Sequence, residues 1–263
     1  MITRQRISNI ASYIPWFYLT RYPFASGAFL LLLLGEVQNT ATASQFHVHH
    51  TVIYIHIAFL LVCTSFVISQ YKPRLFSLVL AIEQALAQII FFSYGRSSPV
   101  WQHTLIKSRA LLMFATYLLQ ASGYCNYPVK KTIHPKVRDV SLTLHGLYLA
   151  SISYLLFNDP AFSRGFIHLF QKYFSSTLVN YNTVHILATC VSACSAGLLS
   201  KQWPRIFALL SLVAMTPVFA TVWNIGFWVD FYRAETFYLY KAIADDLCFV
   251  ASCCIYLTLS RTK

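Results

Sequence analysis

The sequence predicts an all-α, polytopic membrane protein with about eight transmembrane helices, arranged as a tandem pair of four-helix units. Of its 263 residues, 57% are hydrophobic and only 11% are charged, and the mean hydropathy is +0.56. Soluble domains usually have about 45–50% apolar and about 25% charged residues, so this composition excludes an ordinary soluble domain. The apolar residues fall into long runs with short polar breaks, and one hairpin sequence occurs twice. These observations together set the fold class.

The first apolar run covers residues 24–36. It is preceded by an aromatic segment at residues 10–23, interrupted by prolines, that either lies in the membrane interface or extends the span. The aromatic residues of this segment fit an interfacial belt: Tyr13, Trp16, Phe17, Tyr18 and Tyr22. No convincing cleavage site follows the run, so the segment is expected to be retained. A mitochondrial presequence is the alternative, since the first 35 residues contain no acid.

Seven further windows have the roughly 20 mostly apolar residues that a membrane-crossing helix needs. They cover residues 51–69, 75–94, 105–123, 140–157, 183–200, 206–228 and 237–259. An even number of spans places both termini on one side of the membrane. Thirteen Lys and Arg fall on that side and seven on the other, and positive loops resist translocation. Both termini are therefore predicted to be cytoplasmic, in an endomembrane or the plasma membrane, with the mitochondrial inner membrane as an alternative.

The formal net charge of +12 reflects this topology, because the cations lie between apolar runs. That distribution does not form a polyanion-binding face, so nucleic acid is excluded as a partner. Membrane lipids and other membrane proteins are the expected partners. The seven cysteines contain no CxxC pair, so no disulfide framework is predicted.

The repeated hairpin reads SQYKPRLFSL at residues 69–78 and SKQWPRIFAL at residues 200–209, an offset of 131 residues. Proline suits the start of a helix because the N–H that it lacks is unpaired there anyway. The repeat predicts a first four-helix unit at residues 1–125 and a second at 139–263, joined by a basic cytoplasmic linker at 126–138. The units would be related by an axis along the membrane normal. A chance likeness between apolar hairpins is the alternative.

A few charged residues fall inside the predicted spans, where each costs about 2.5–3.5 kcal/mol at a helix centre on insertion scales. Lys241 precedes Asp245 by four residues, so the two can pair on one helix face. The whole candidate intramembrane polar site comprises Glu83, Lys107, Arg109, Lys241, Asp245 and Asp246. These residues either line a path for a proton or a polar solute, or hold the helices together.

Other charged residues fall at the predicted membrane interface: Arg21, Glu36, Asp230, Arg233 and Glu235. Imidazoles suit Zn or Cu, which makes four histidines weak metal candidates: His47, His49, His50 and His56. No cysteine or carboxylate accompanies them at ligand spacing, so neither a metal nor another cofactor is expected. The chain also contains no phosphate loop, GxSxG or HExxH pattern, so no catalytic residue is predicted and an enzyme is disfavoured.

Two segments near the ends of the chain point to a known family. The first is LTRYPF at residues 19–24, followed by the apolar run that ends at Glu36, and the second runs from Arg233 through Lys241 to Asp245. The first resembles the start of the transmembrane protein 101 family, and the second is similar to that family's final helix, where a glutamate is expected in place of Asp245. Glu83 and the histidines depart from the family pattern. Each half also resembles, more weakly, a DoxX-like four-helix membrane unit.

The first resemblance implies a multi-pass membrane protein without catalytic residues, loosely linked to activation of NF-kappa-B signalling. We therefore expect a non-enzymatic scaffold, chaperone or signalling adaptor. One alternative is a transporter or channel for a proton or small polar solute, with a path between the two halves. The other is an enzyme that uses a lipid or quinone within the bilayer, which only the DoxX-like resemblance implies.

Overall fold

The computed structural model describes residues 13–28, 50–91, 100–124, 134–174, 180–223 and 236–258. Within these ranges all regular secondary structure is helical, so the predicted all-α fold class is confirmed. Helices in the first half are α1 at residues 13–28, α2 at His50–Ile68, α3 at Pro73–Phe91 and α4 at Val100–Leu119, followed by a π-helical turn at Gln120–Tyr124. Helices in the second half are α5 at Pro135–Asn158, α6 at Pro160–Phe174, α7 at Tyr181–Ser200, α8 at Pro204–Val222 and α9 at Thr236–Thr258.

Four helices in the described ranges are long and apolar enough to cross a membrane: Thr51–Ile68, Pro135–Asn158, Tyr181–Ser200 and Pro204–Thr221. At 1.5 Å per residue, helices of this length extend over about 27–36 Å, which matches a hydrocarbon core of about 30 Å. Much of their apolar surface points outward, as expected beside lipid. The protein is therefore embedded in a membrane. The total of eight membrane spans stays a prediction.

One apolar core runs through both predicted units, from Leu19 in α1 to Tyr256 in α9. Helix α5 packs most extensively on α7, and α4 contacts α3, α5 and α9. Helix α4 therefore links the halves directly. The predicted linker at 126–138 falls largely outside the described residues, and the division into two units stays a prediction.

Small and hydroxyl-bearing residues let α5 and α7 approach closely. Ser195 Oγ donates to the carbonyl oxygen of Gly146 at 2.7 Å, and Ser153 Oγ donates to that of Ala188 at 2.9 Å. A Cβ atom at position 146 would lie 2.7 Å from Leu199 Cγ, so a larger residue there needs a shift of that side chain. Membrane helices associate through such contacts because lipid is as apolar as the helix surface.

The two Pro-Arg hairpins, α2–α3 and α7–α8, begin their turns alike at the offset of 131 residues, but they differ just before the proline, where Lys72 has a φ of 42° and Trp203 a φ of −130°. Gln70 and Lys201 both adopt left-handed φ values, of 62° and 60°. Their amides donate to the carbonyl oxygens of Val67 at 3.3 Å and of Leu198 at 3.2 Å. Both second helices begin at the proline.

Burial follows the same register in the two hairpins. Matching buried positions in α2 and α7 are Ile53 and Val184, Ile57 and Ala188, Leu60 and Val191, Cys63 and Cys194, Thr64 and Ser195, and Val67 and Leu198. In α3 and α8 they are Ser77 and Ala208, Leu80 and Ser211, Gln84 and Met215, and Ala87 and Val218. The hairpins thus present the same faces to the core, although a repeat over the whole chain stays a prediction.

Helix α6 lies between the predicted spans, in a stretch that the hydropathy windows leave out. Asp159 Oδ1 accepts two backbone amides of its first turn, at 2.9 and 3.0 Å, and Pro160 occupies the first helical position. Phe162 and Phe166 are buried, and Phe170 packs against the same core. With 15 residues the helix is short, and it lies against α5, α7 and α8.

Helix α1 corrects the expectation of a proline-broken aromatic belt. Residues 13–28 form one helix that continues through Pro15 and Pro23. Tyr13 and Phe17 are exposed, as a belt requires, but Tyr22 is only 1% exposed. Tyr18 donates its hydroxyl to the carbonyl oxygen of Ala244 in α9, at 2.6 Å. The tyrosine hydroxyls thus find partners inside the bundle, which the aromatic count alone does not reveal.

Candidate intramembrane polar site

Asp245 and Asp246 lie side by side in α9 and are only 1% and 2% exposed. The hydroxyl of Tyr22 in α1 donates to Asp245 Oδ1. One helical turn earlier in α1, Tyr18 bonds the backbone of α9. The first and last described helices are therefore joined at this carboxyl group.

Asp246 contacts two other helices through its two oxygens. Arg109 Nη2 of α4 lies 3.3 Å from Oδ1, and Trp223 Nε1, directly after α8, donates to Oδ2 at 3.1 Å. Arg109 is itself 7% exposed, so this is an ion pair in the bundle interior. Removing one member of such a pair leaves a charge buried without its counter-charge, which usually costs about 3–5 kcal/mol.

Hydroxyl groups extend the polar contact between α4 and α9. Thr116 Oγ1 and Ser252 Oγ lie 2.6 Å apart, about two turns further along each helix. Both residues are buried and also bond carbonyl oxygens of their own helices, at 2.8 and 2.9 Å. We name Tyr22, Arg109, Trp223, Asp245 and Asp246 the α9 cluster. It fastens α1, α4, α8 and α9 to one another.

Glu83 lies outside the α9 cluster and pairs with His56, on the neighbouring helix of the first hairpin. His56 Nε2 is 2.9 Å from Glu83 Oε1, and the two side chains are 12% and 10% exposed. Gln84 Nε2 donates to the other carboxylate oxygen at 2.7 Å. Glu83 and His56 were predicted in separate sets, the intramembrane polar site and the weak metal candidates, whereas the structure brings them together.

A groove of about 500 Å³ opens between α2 and α3 around this pair. Apolar side chains line the rest of it: Val52, Ile55, Phe59, Val79, Ile82, Leu86 and Ala87. Ile55 and Ile82 are among the most exposed apolar residues of these helices, so the groove faces outward from the bundle. We name it the α2–α3 groove.

Comparison with known protein families agrees with the family resemblance that segments of α1 and α9 carry. The profile of the TMEM101 protein family matches residues 4–258, nearly the whole chain. The chain belongs to the TMEM101 protein family. No curated protein and no solved structure gives a match. The segments that carried the resemblance, residues 19–24 and 233–245, include Tyr22 and Asp245 of the α9 cluster, and both segments lie within the matched range.

The other residues of the predicted intramembrane and interfacial sets of this family member do not form one cluster. Lys107 is exposed while Arg109 is buried, so the two do not share a face. Arg21 in α1 places its guanidinium 3.9 Å from the ring centroid of Phe17. Lys241 lies in α9, but its side chain falls outside the described part, and its pairing with Asp245 stays a prediction.

Several expectations fall on residues that the structure does not describe: Glu36, His47, His49, Asp230, Arg233 and Glu235. His50 is the first residue of α2. Among the described residues, no three or more His, Cys, Asp or Glu side chains group as metal ligands. The DoxX-like resemblance of each half stays a prediction.

Sequence reasoning missed Tyr22 and Trp223 as partners of the aspartates. Tyr22 belongs to the LTRYPF segment that marked the family, so a signal was present there. The pairing of His56 with Glu83 also had a signal, because the two residues lie 14 before and 13 after Gln70 in the turn. Residues at nearly equal distances from the turn of an antiparallel hairpin lie at similar heights along the two helices. Trp223 carried no such signal.

Proposed function

We propose that the protein is a non-enzymatic membrane scaffold, chaperone or signalling adaptor that supports activation of NF-kappa-B signalling. The observation that carries this proposal is the set of protein partners on Asp245 and Asp246. These partners use the carboxyl groups to fasten helices of both halves. The polar interior therefore serves assembly, and the outer faces of the bundle are left to meet other molecules.

Broad apolar faces on the outer helices support the same proposal. Ile186 of α7 and Val213 of α8 are both 65% exposed, and both lie on helices suited to crossing a membrane. In a bilayer, such faces contact either lipid or the helices of other membrane proteins. Purification in mild detergent is expected to retain a stoichiometric membrane-protein partner, and a lone monomer that turns over a substrate would overturn the proposal.

We infer further that both termini face the cytoplasm, since the tally of Lys and Arg favours that side. The two basic hairpin turns, with Lys72 and Lys201, would then lie on the cytoplasmic side as well. Epitope tags at the two ends should be accessible only after permeabilisation of the plasma membrane. Tags accessible from opposite faces would contradict this orientation and the even number of spans.

The test of a structural role compares Asp246→Asn with the double variant Arg109→Met, Asp246→Leu. The single variant leaves Arg109 buried without its counter-charge, so we expect about 3 kcal/mol of destabilisation and a matching loss of an NF-kappa-B transcription reporter. The double variant removes both charges and should recover most of the folded yield and of the reporter signal. Yield is measured as the monodisperse fraction in detergent gel filtration.

A transporter or channel is the second candidate, and the buried ion pair of Arg109 and Asp246 is the observation that favours it. Ionisable residues inside a membrane often mark a solute or proton path. The same variants separate the two functions. A double variant that folds like the natural protein yet loses its reporter signal, or its ion flux in proteoliposomes, would overturn the scaffold proposal and establish a functional pair.

A further inference from the structure

We propose that the α2–α3 groove binds a sterol whose hydroxyl group donates a hydrogen bond to Glu83. This inference goes beyond the proposed function and does not depend on it. The groove's volume of about 500 Å³ falls within the range of about 300–1,000 Å³ that is typical of small-molecule sites. Its lining combines many apolar side chains with one polar pair, as ligand sites generally do.

The polar pair is not needed to build a hairpin of this kind. The α7–α8 hairpin has a left-handed residue at the same point after its first helix and the matching buried positions, and it carries Leu187 and Ala214 where the first hairpin has His56 and Glu83. All four residues are partly buried in their hairpins. Since an ionisable pair beside lipid is costly, its presence in only one hairpin points to a role other than helix packing.

The carboxylate of Glu83 can accept a further hydrogen bond, and this favours a ligand whose polar group is a donor. One carboxylate oxygen faces His56 Nε2 and the other accepts from Gln84 Nε2. A carboxylate offers about four lone-pair sites, so it can accept one further donor. A hydroxyl group supplies that donor, whereas a ketone or ester supplies only acceptors.

Charge and length narrow the ligand class further. The described lining residues include neither Lys nor Arg, and His56 already faces Glu83, so none of them is available to balance a phosphate headgroup. The lining extends over residues 52–59 of α2 and 79–87 of α3, about 12–14 Å along each helix at 1.5 Å per residue. That length suits a compact, neutral fused-ring body better than an extended acyl chain.

The test uses the full natural chain in phosphatidylcholine vesicles with two photoreactive probes: a diazirine-bearing sterol and its 3-O-methyl ether. The ether has the same body but cannot donate a hydrogen bond. We expect the sterol to label peptides of α2 and α3 about 5–10-fold more than the ether, which corresponds to one hydrogen bond. Peptides of α7 and α8 should be labelled weakly and equally by both probes. Equal labelling of the groove by the two probes would overturn the proposal.

Matched variants locate the interaction. The double variant His56→Leu, Glu83→Ala introduces the residues of the second hairpin, and it should reduce labelling by the sterol to the level of the ether. Val213→Ala, at the α8 position that matches Ile82, is the control and should leave the preference unchanged. A preference that persists in the double variant would refute the role of Glu83.

Two further arms of the experiment bear on the ligand class. A diazirine-bearing long-chain alcohol should label the groove less than the sterol does, and stronger labelling by the alcohol would overturn the fused-ring assignment. Crosslinking of the groove to a co-purified membrane protein, with loss of sterol labelling, would identify a protein helix as the occupant instead. If the double variant does not fold, the comparison of sterol with ether on the natural chain decides the proposal.

Discussion

The α2–α3 and α7–α8 hairpins share a left-handed residue after their first helix and a burial register, and they differ in what fills the space between their helices. In the first hairpin Phe66 and Phe76 pack ring against ring, with centroids 4.5 Å apart. In the second, the matching position of Phe66 is Gly197, and the ring of Phe207 occupies the space where a Cβ atom would lie. The comparison teaches that one burial register is compatible with different packing between the two helices.

Gly197→Phe should produce the largest effect. It places in the second hairpin the phenylalanine that the first has at position 66, where the second hairpin has no space for the ring. The ring of Phe207 already covers position 197, so the new side chain must displace it. We expect about 3 kcal/mol of destabilisation, at the upper end of overpacking costs. Thermal unfolding in detergent measures the change.

Gly27→Ala in α1 is the control for this variant, because an added Cβ atom would meet only Ile57 Cγ2 at 3.6 Å. That variant should unfold at nearly the natural temperature. If Gly197→Phe were equally stable, the close approach of Phe207 to α7 would not be a feature of the folded protein.

Glu83→Ala alone should have the next largest effect. It leaves His56 facing an apolar groove without its carboxylate partner, which we expect to cost about 1–3 kcal/mol. Adding His56→Leu should restore most of the loss, because the second hairpin packs with leucine and alanine at these positions. A double-mutant cycle on unfolding temperatures measures the coupling, and additive effects would show that the two side chains do not interact.

The hydroxyl groups at matching positions 64 and 195 should give the smallest effect. Ser195 Oγ bonds the backbone of α5, whereas Thr64 Oγ1 is buried without a hydrogen-bond partner among the described residues. Ser195→Ala should therefore cost about 1 kcal/mol, and the isosteric Thr64→Val should cost nothing or stabilise the fold slightly. Equal losses in a chemical-denaturation series would remove this distinction between the hairpins.

Hydropathy and turn chemistry predicted much of the fold. The windows located α2, α3, α4, α5, α7, α8 and α9, because a long apolar run is a strong local signal. The same windows left out α6, although Asp159, Pro160 and the phenylalanines at positions 162, 166 and 170 mark a capped amphipathic helix. Hydropathy averages over a window and does not register a short helix with only one apolar face.

The acids of the candidate site and Arg109 were predicted as members, but the pairing of Arg109 with Asp246 and the contact of Tyr22 with Asp245 were not. A charged residue in an apolar run is visible in the sequence, which is why Asp245, Asp246 and Glu83 were identified. Their partners lie 137 and 223 residues away for Arg109 and Tyr22, and only the packing of four helices brings them together. Lys107 is exposed and Arg109 is buried because of the way α4 is rotated about its own axis. The sequence alone does not show which face of this helix points toward the core.

The α9 cluster also imposes an order on biosynthesis. Its two carboxyl groups belong to the last described helix of the chain, so Arg109 and Tyr22 enter the membrane long before these partners are synthesised. The ion pair of Arg109 with Asp246 therefore forms only after α9 has been synthesised. A nascent chain that stops short of α9 would hold Arg109 without the carboxylate of Asp246.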